Sequence, residues 1–134
     1  MSARTKARKR ALDLLFAAEA RGTDATDLLE EQLKAGEVNN PYTAALVRGV
    51  VAEQTRIDEV ISTYSRDWSL KRMPAVDRNV LRLAVWELLY AADIPAGVAV
   101  SEAVTLVQDL STDESPAFVN GVLAAIERDR ATLV

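Results

Sequence analysis

The segment "VLRLAVWELLYAA", from Val80 to Ala92, decides the fold class because its apolar residues occupy almost every face of a helix. A helix that is apolar all round is buried inside a bundle and does not lie on its surface. We therefore expect this segment to form the central helix of the second half of the chain. Apolar residues do not alternate at a period of two over any useful length, which argues against a β-sheet.

Proline, glycine and capping residues on both sides of this segment place the other helices. The sequence predicts an all-α fold of about seven helices, in which two small helical bundles pack together within a single domain over residues 1–134. The N-terminal bundle is expected over about 1–68 and the C-terminal bundle over about 69–134. The predicted helices are 3–20, 24–35, a third from 41 that kinks near 55 into a fourth, and then 75–93, 98–110 and 115–130.

Two glycines in the middle of predicted helices need a structural reason. Gly49 and Gly121 occur in the similar segments "VRGVVA" and "VNGVLA", each in a helix that begins with a polar residue and proline. A glycine inside a helix costs roughly 1 kcal/mol relative to alanine. We expect both glycines to lie where two helices approach closely, and Ser115 to cap the last helix.

The composition narrows the possible functions. The chain has no cysteine, and therefore no thiolate nucleophile or zinc–thiolate site, and no histidine, the commonest general base and metal ligand. Its acidic residues follow ordinary helix-surface spacing, so we expect no enzyme, no cofactor and no metal. No apolar run reaches the roughly 18 residues of a membrane span. Asp13 and Glu19 interrupt the only signal-like segment, so we expect a soluble cytoplasmic protein.

Positive charge is concentrated at the N-terminus of an otherwise acidic chain. The chain has 16 Lys and Arg against 20 Asp and Glu, and its pI is near 4.9. On a helical wheel of roughly 100° per residue, the basic residues near the N-terminus lie on all sides of the helix. Charges distributed in this way cannot all be buried. We therefore expect the first two turns to project from the body. The five residues concerned, here called the N-terminal cations, are Arg4, Lys6, Arg8, Lys9 and Arg10.

Phe16 lies on the same predicted helix, well off its apolar face and at about the angle of Lys9. An aromatic ring beside cations can stack on an unpaired RNA base. Alternatively, Phe16 packs on the second helix while the cations remain solvated. Together the ring and the charges favour RNA, and the acidic body favours local recognition of a short single strand over indiscriminate duplex binding.

Three motifs in the second half are found in the same order and spacing in a known family. They are "P-x-VDR-x-x-LRLA-x-x-EL", "DIP-x-x-VA-x-x-EAV" and "S-x-x-FVNGVL", and they cover Trp68 to Ile126 almost continuously. In these motifs the chain resembles the NusB transcription-antitermination family. The segments "ARKRALDLLF" and "LVRGVV" are also similar to their family counterparts, so the resemblance extends along nearly the whole chain.

The resemblance implies a two-bundle helical fold without catalytic activity. It implies binding to boxA RNA, a short single-stranded element in ribosomal-operon leaders, together with NusE, a small-subunit ribosomal protein. The resulting complex joins RNA polymerase with other Nus factors and suppresses premature termination in ribosomal RNA operons. Some family members form homodimers that can cover the RNA surface, and the sequence leaves the oligomeric state open.

The same resemblance assigns candidate residues. The RNA contacts fall on the N-terminal cations and Phe16, and Phe118 and Asn120 in "FVNG" are further RNA candidates. Asp77 matches an acidic family position at the NusE face, and Arg78 lies beside it. Alternatives remain open: Phe118 could pack at the start of its helix, Asn120 could bond locally, and the Asp77–Arg78 pair could belong to an ordinary surface salt bridge.

The chain departs from the family pattern at several positions near the RNA candidates of the second half. Many members have basic residues where this chain has Gly97, Gln108 or Asp109, and Ala117. The electrostatic contribution to RNA binding is therefore expected to come more from the N-terminus.

An accessory RNA-binding domain that acts with an RNA-modifying enzyme is the first alternative function. A helical scaffold whose basic residues contact acidic protein is the second.

Overall fold

The computed structural model describes residues 2–133, and these residues form helices and connecting segments without a β-strand. The all-α prediction is confirmed. The described residues contain eight helices, where about seven were expected, because a short helix follows the last predicted one. The helices are α1 (Ala3–Arg21), α2 (Ala25–Lys34), α3 (Pro41–Ala52), α4 (Gln54–Tyr64), α5 (Ala75–Tyr90), α6 (Ala96–Leu110), α7 (Ser115–Arg128) and α8 (Arg130–Leu133).

Capping residues set most of these boundaries. The Ser2 hydroxyl accepts a hydrogen bond from the Thr5 amide at 3.0 Å and begins α1. Gly22 ends α1 with φ of 67°, a left-handed conformation that glycine adopts without the strain of a side chain. The Asn40 side chain accepts from the Tyr42 amide at 2.9 Å, and Pro41 begins α3 as predicted.

Ser115 does not cap α7, contrary to expectation. It is the first helical residue and is fully buried, and Glu114 takes the capping position without a side-chain hydrogen bond. The Ser115 hydroxyl instead accepts from the Thr112 amide at 3.2 Å and donates to the Ser111 hydroxyl at 3.1 Å. It is therefore already engaged by the loop that precedes α7.

The chain divides into two compact units, the first ending at Ala52 and the second beginning at Glu53. In the first unit α1 packs on α2 and α3. This division lies earlier than residue 68, and α4, expected in the N-terminal bundle, belongs to the second unit. The reason is that α4 buries Ile57 and Ile61 in a unit where it packs on α5 and α7.

Helix α5 is the centre of the second unit, as the apolar segment predicted. It packs on α4, α6 and α7, and Leu81 and Val85 on it are completely buried. It ends at Tyr90, earlier than predicted, because Ala91 leaves the helical conformation with ψ of 80°. Within residues 2–133, no helix is long and apolar enough to cross a membrane, and no group of acidic side chains is placed to hold a metal ion.

Candidate nucleic-acid interface

The first two turns of α1 are fixed against α3 and do not project from the first unit. The Asn40 side-chain amide donates to the Ala3 carbonyl at 3.1 Å, and the Thr43 hydroxyl donates to the Ala7 carbonyl at 3.2 Å. The small side chain of Ala7, only 1% exposed, permits this close approach. The expectation of a projecting arm is therefore wrong.

Two of the N-terminal cations lie over one aromatic ring. The guanidinium carbons of Arg4 and Arg8 are 5.0 Å and 5.8 Å from the centre of the Tyr42 ring. Arg8 is only 4% exposed, so the expectation that none of the cations is buried is wrong for this residue. The negative face of an aromatic ring attracts a cation and permits its burial. Tyr42 was not identified from the sequence, because its role depends on the packing of α1 on α3.

The other three N-terminal cations differ in how firmly they are engaged. The Lys6 ammonium is exposed and has no partner among the described residues. Lys9 forms an ion pair with Asp13 at 2.7 Å, and both side chains are more than 40% exposed. Such exposed pairs contribute at most about 1 kcal/mol, so Lys9 can exchange Asp13 for a phosphate at little cost. Arg10 donates to the Gln32 side chain at 2.8 Å.

An open groove runs between α1 and the segment that precedes α3. It has a volume of about 340 Å³, and its lining includes the side chains of Lys6, Arg10, Asn39 and Asn40. The Nε of Arg10 is buried without a hydrogen-bond partner in the described chain, and Glu37 lies 3.9 Å from the same guanidinium. The two cations can bind phosphate oxygens and the exposed Asn39 amide can bond the polar edges of bases, while the Asn40 side chain is held by Ala3 and Tyr42.

Phe16 is 42% exposed, in agreement with its predicted position off the core face. It lies on the same helix as the N-terminal cations, about 10 Å beyond Lys9 at the helical rise of roughly 1.5 Å per residue. Exposure of a large aromatic ring at this distance leaves it free to stack on a base. The first unit thus holds the N-terminal cations and Phe16 on one rigid helix.

Phe118 and Asn120 belong to the second unit. The Phe118 ring packs edge-on against Trp68, with ring centres 4.7 Å apart and an interplanar angle of 63°. Asn120 is exposed, and at the neighbouring Gly121 an added Cβ would meet nothing within 4 Å. The expectation of a close helix contact at Gly121 is therefore wrong. Trp68 was missed because its contact with Phe118 joins segments far apart in the sequence.

Asp77 and Arg78 are both used inside the second unit. Asp77 is completely buried and accepts a hydrogen bond from the Ser111 hydroxyl at 2.6 Å, while its Oδ2 has no partner among the described residues. Arg78 donates to the carbonyls of Leu70 at 2.7 Å and Met73 at 3.2 Å. The alternative of an ordinary surface salt bridge is therefore wrong for Asp77, whose side chain is enclosed by the second unit. An interface role for Asp77 and Arg78 stays a prediction.

The fold and these surfaces can be compared with known proteins. A family model described as NusB family matches residues 5–128. The chain belongs to the NusB family. The resemblance read from the three motifs is thereby confirmed.

NusB proteins match this chain in sequence and in structure along nearly its whole length. Transcription antitermination protein NusB of Nocardioides sp. strain JS614 is 65% identical over 134 residues, which are 99% of each chain. The solved structure of T. maritima NusB has a TM-score of 0.87 at 37% identity, covering 97% of this chain and 94% of that one. A solved complex of antitermination factors NusB and NusE with dsRNA matches at a TM-score of 0.81 and 31% identity, covering 93% and 96%.

Proposed function

We propose that this member of the NusB family is a transcription antitermination factor that binds RNA together with NusE. The proposal is supported by the name of its 65% identical relative and by its similarity to a solved complex of NusB and NusE with dsRNA. The observation that carries it is the placement of the N-terminal cations and an exposed Phe16 on one fixed helix of an acidic chain. This arrangement of cations and an exposed aromatic ring suits recognition of a nucleic acid.

The RNA is single-stranded boxA in the leaders of ribosomal RNA operons, and the complex acts with RNA polymerase in the cytoplasm. Stacking on Phe16 requires an unpaired base, which favours a single strand over a duplex. The groove beside Lys6 and Arg10 offers the exposed side-chain amide of Asn39, which can bond base edges. A duplex would expose only phosphates and sugars to most of these groups.

The expected salt dependence follows from the number of cations that can reach phosphate. Arg8 is buried over Tyr42, so four of the N-terminal cations remain for the RNA. Each phosphate contact with a single strand contributes about −0.7 to the logarithmic salt slope, which gives about −2.8 for four contacts. RNA affinity should therefore fall roughly fiftyfold between about 50 and 200 mM salt. A protein with this dependence gains from a second protein that adds affinity, a role that NusE would fill.

Toward NusE, Asp77 and Arg78 act indirectly. Asp77 joins the start of α5 to the loop before α7 through Ser111, and Arg78 fixes the segment before α5. Both residues thereby hold the shape of a surface that other side chains present. A homodimer that covered α1 would compete with RNA, and size-exclusion chromatography with and without RNA would detect it.

Titration of a labelled boxA oligonucleotide, with a scrambled one for comparison, tests the proposal. It is carried out with and without NusE at two salt concentrations. The double variant Lys6→Gln/Lys9→Gln removes two exposed charges from α1, and we expect boxA affinity to fall about tenfold. The control variant Arg21→Gln/Lys34→Gln removes two exposed charges at the ends of α1 and α2, and it should bind as the wild type does. Equal affinity for boxA and the scrambled oligonucleotide, with NusE present, would refute the proposal.

A further inference from the structure

One carboxylate, that of Glu37, lies at the rim of the groove beside α1. Its Oε2 is 3.9 Å from the Nη2 of Arg10, and the Glu37 side chain is 62% exposed. This distance is too long for a hydrogen bond, and an exposed ion pair of this kind contributes little to the stability of a fold. The contact between Glu37 and Arg10 therefore does little to hold the first unit together.

The loop after α2 fixes the backbone of Glu37 and leaves its side chain free to move. Gly36 has φ of 75°, a left-handed conformation that ends the helix and turns the chain. The amides of Glu37 and Val38 both donate to the Gln32 carbonyl, at 2.9 and 3.3 Å, and the Val38 side chain is buried. The exposed carboxylate of Glu37 can therefore leave Arg10 without disturbing the loop.

Arg10 is held beside the groove, but the chain does not supply all the acceptors that its guanidinium can use. Its Nη2 donates to the Gln32 side chain at 2.8 Å, which keeps the guanidinium in position. Its Nε is buried without a hydrogen-bond partner among residues 2–133, and the Glu37 carboxylate is beyond hydrogen-bond distance. A phosphate offers a guanidinium short, charge-assisted hydrogen bonds. Arg10 therefore gains bonds when it exchanges Glu37 for a phosphate.

Carboxylates face the cations of α1 unequally. Lys9 is paired with Asp13 at 2.7 Å, Arg10 is faced by Glu37 at 3.9 Å, and Lys6 has no such partner in the described chain. A carboxylate and a phosphate carry charge of the same sign and accept hydrogen bonds from the same donors, so they compete for one cation. Of the two cations that line the groove, only Arg10 is therefore subject to such competition.

We propose that Glu37 is an internal competitor for RNA, whose carboxylate lies beside Arg10 until a phosphate of the bound strand replaces it. The carboxylate then turns outward to solvent, and its negative charge close to the strand lowers the affinity. This inference rests on the proposed RNA binding and adds to it a residue of this chain that opposes binding. Because Glu37 weakens binding by the chain alone, it increases the dependence on NusE.

The variant Glu37→Gln removes the competing charge and nearly keeps the size of the side chain. The interaction of two unit charges about 4 Å apart in water corresponds to about a fivefold change in a binding constant. With NusE present and at about 50 mM salt, the variant should bind boxA RNA about three- to fivefold more tightly than the wild type. The gain should be smaller at about 200 mM salt, where exposed charges are screened more strongly. The melting temperature should stay within about 2 °C of the wild-type value, because the pair is exposed.

Glu31→Gln is the matched control. It removes the same charge from an exposed position of α2 whose side chain forms no ion pair within the described residues, so it reports the general effect of one negative charge fewer. We expect it to change boxA affinity by less than about twofold. Equal gains for Glu31→Gln and Glu37→Gln would overturn the inference. Weaker binding by Glu37→Gln would also overturn it, because Glu37 would then accept hydrogen bonds from the RNA.

A double-mutant cycle with Arg10 locates the competition. In the Arg10→Gln background no guanidinium is left for Glu37 to cover, so adding Glu37→Gln should change boxA affinity no more than the control does. The full gain in that background would contradict competition at Arg10. The two proposals fail in different ways. If the wild type with NusE does not prefer boxA to the scrambled oligonucleotide, the proposed function and this inference both fail. If it does and Glu37→Gln behaves as the control, only this inference fails.

Discussion

Removal of the Asp77 carboxylate should destabilise the second unit in the absence of any partner. The group is completely buried, and its hydrogen bond from the Ser111 hydroxyl is 2.6 Å long. Hydrogen bonds to charged groups contribute about 1.5–3 kcal/mol. The position of Asp77 in the first turn of α5 adds roughly 0.5 kcal/mol from the helix dipole. Removal of Oδ2 is favourable by about 1 kcal/mol, because this buried oxygen has no hydrogen-bond partner among the described residues, and it offsets part of the loss. Asp77→Ala should therefore lower the free energy of unfolding by about 2 kcal/mol.

The Ser111→Ala variant approaches the same interaction from the other side. It leaves both oxygens of the buried Asp77 carboxylate without a donor among the described residues. A charged group stranded in this way costs about 2–3 kcal/mol, well above the effect of an ordinary serine-to-alanine change. The double variant Asp77→Ala/Ser111→Ala should lose less free energy of unfolding than the sum of the losses of the two single variants. The coupling energy should be about 1.5–2 kcal/mol, as for residues in direct contact.

Urea denaturation followed by circular dichroism measures these differences, without NusE or RNA. Asp113→Ala is the control, because it removes an exposed carboxylate from the same loop before α7 and should cost less than about 0.5 kcal/mol. If Asp77→Ala unfolds at the wild-type urea concentration, the carboxylate is not held inside the unit. The reasoning from burial would then be refuted, and a direct interface role for Asp77 would regain support.

Three further outcomes are expected. Gly121→Ala should raise the free energy of unfolding by up to about 1 kcal/mol, measured by urea denaturation, because the new methyl group meets nothing within 4 Å; a loss of stability would contradict the open surface there. Arg82→Lys should cost about 1–2 kcal/mol in the same assay, because a lysine cannot keep both bonds to Asp58; an unchanged midpoint would contradict this. The hydrogen bond from the Tyr64 hydroxyl to Asp129 raises the pKa of Tyr64. The bond therefore stabilises the fold fully below about pH 10, the ordinary pKa of tyrosine, and this stabilisation is lost as the pH rises through the raised pKa. Asp129→Asn should return this pKa toward its ordinary value in a phenolate absorbance titration, and an unchanged titration curve would count against the bond.

Local sequence features predicted the helices well because their causes are local. The apolar residues of the segment 80–92 predicted a buried central helix, and α5 is that helix. Gly22 correctly predicted the end of α1 and Pro41 the start of α3. A left-handed glycine and a proline without an amide hydrogen affect only the residues next to them in the chain. Positions of this kind need no knowledge of distant contacts.

The candidate site was harder to predict because its side chains depend on partners from other helices. A helical wheel places Arg8 at the flank of the apolar face of α1, and only the packing of α3 brings the Tyr42 ring under it. Asp77 has the sequence context of a surface carboxylate, yet Ser111 from the end of α6 makes its burial possible. The partner of a polar side chain, and therefore its burial, is decided by tertiary packing that one sequence does not display.

The burial of Arg8 also changes how α1 would bind RNA. A projecting arm would lose roughly 1–2 kcal/mol of backbone entropy for each residue ordered by the ligand. In this chain α1 is already ordered when the protein folds, so binding RNA does not require this loss of entropy. The helix is held by the hydrogen bonds from Asn40 and Thr43 and by the stacking of Arg4 and Arg8 on Tyr42. One cation is thereby withdrawn from the RNA, but the remaining ones are held on an ordered helix. Mutations of Tyr42 should therefore weaken RNA binding without removing any residue that touches the strand.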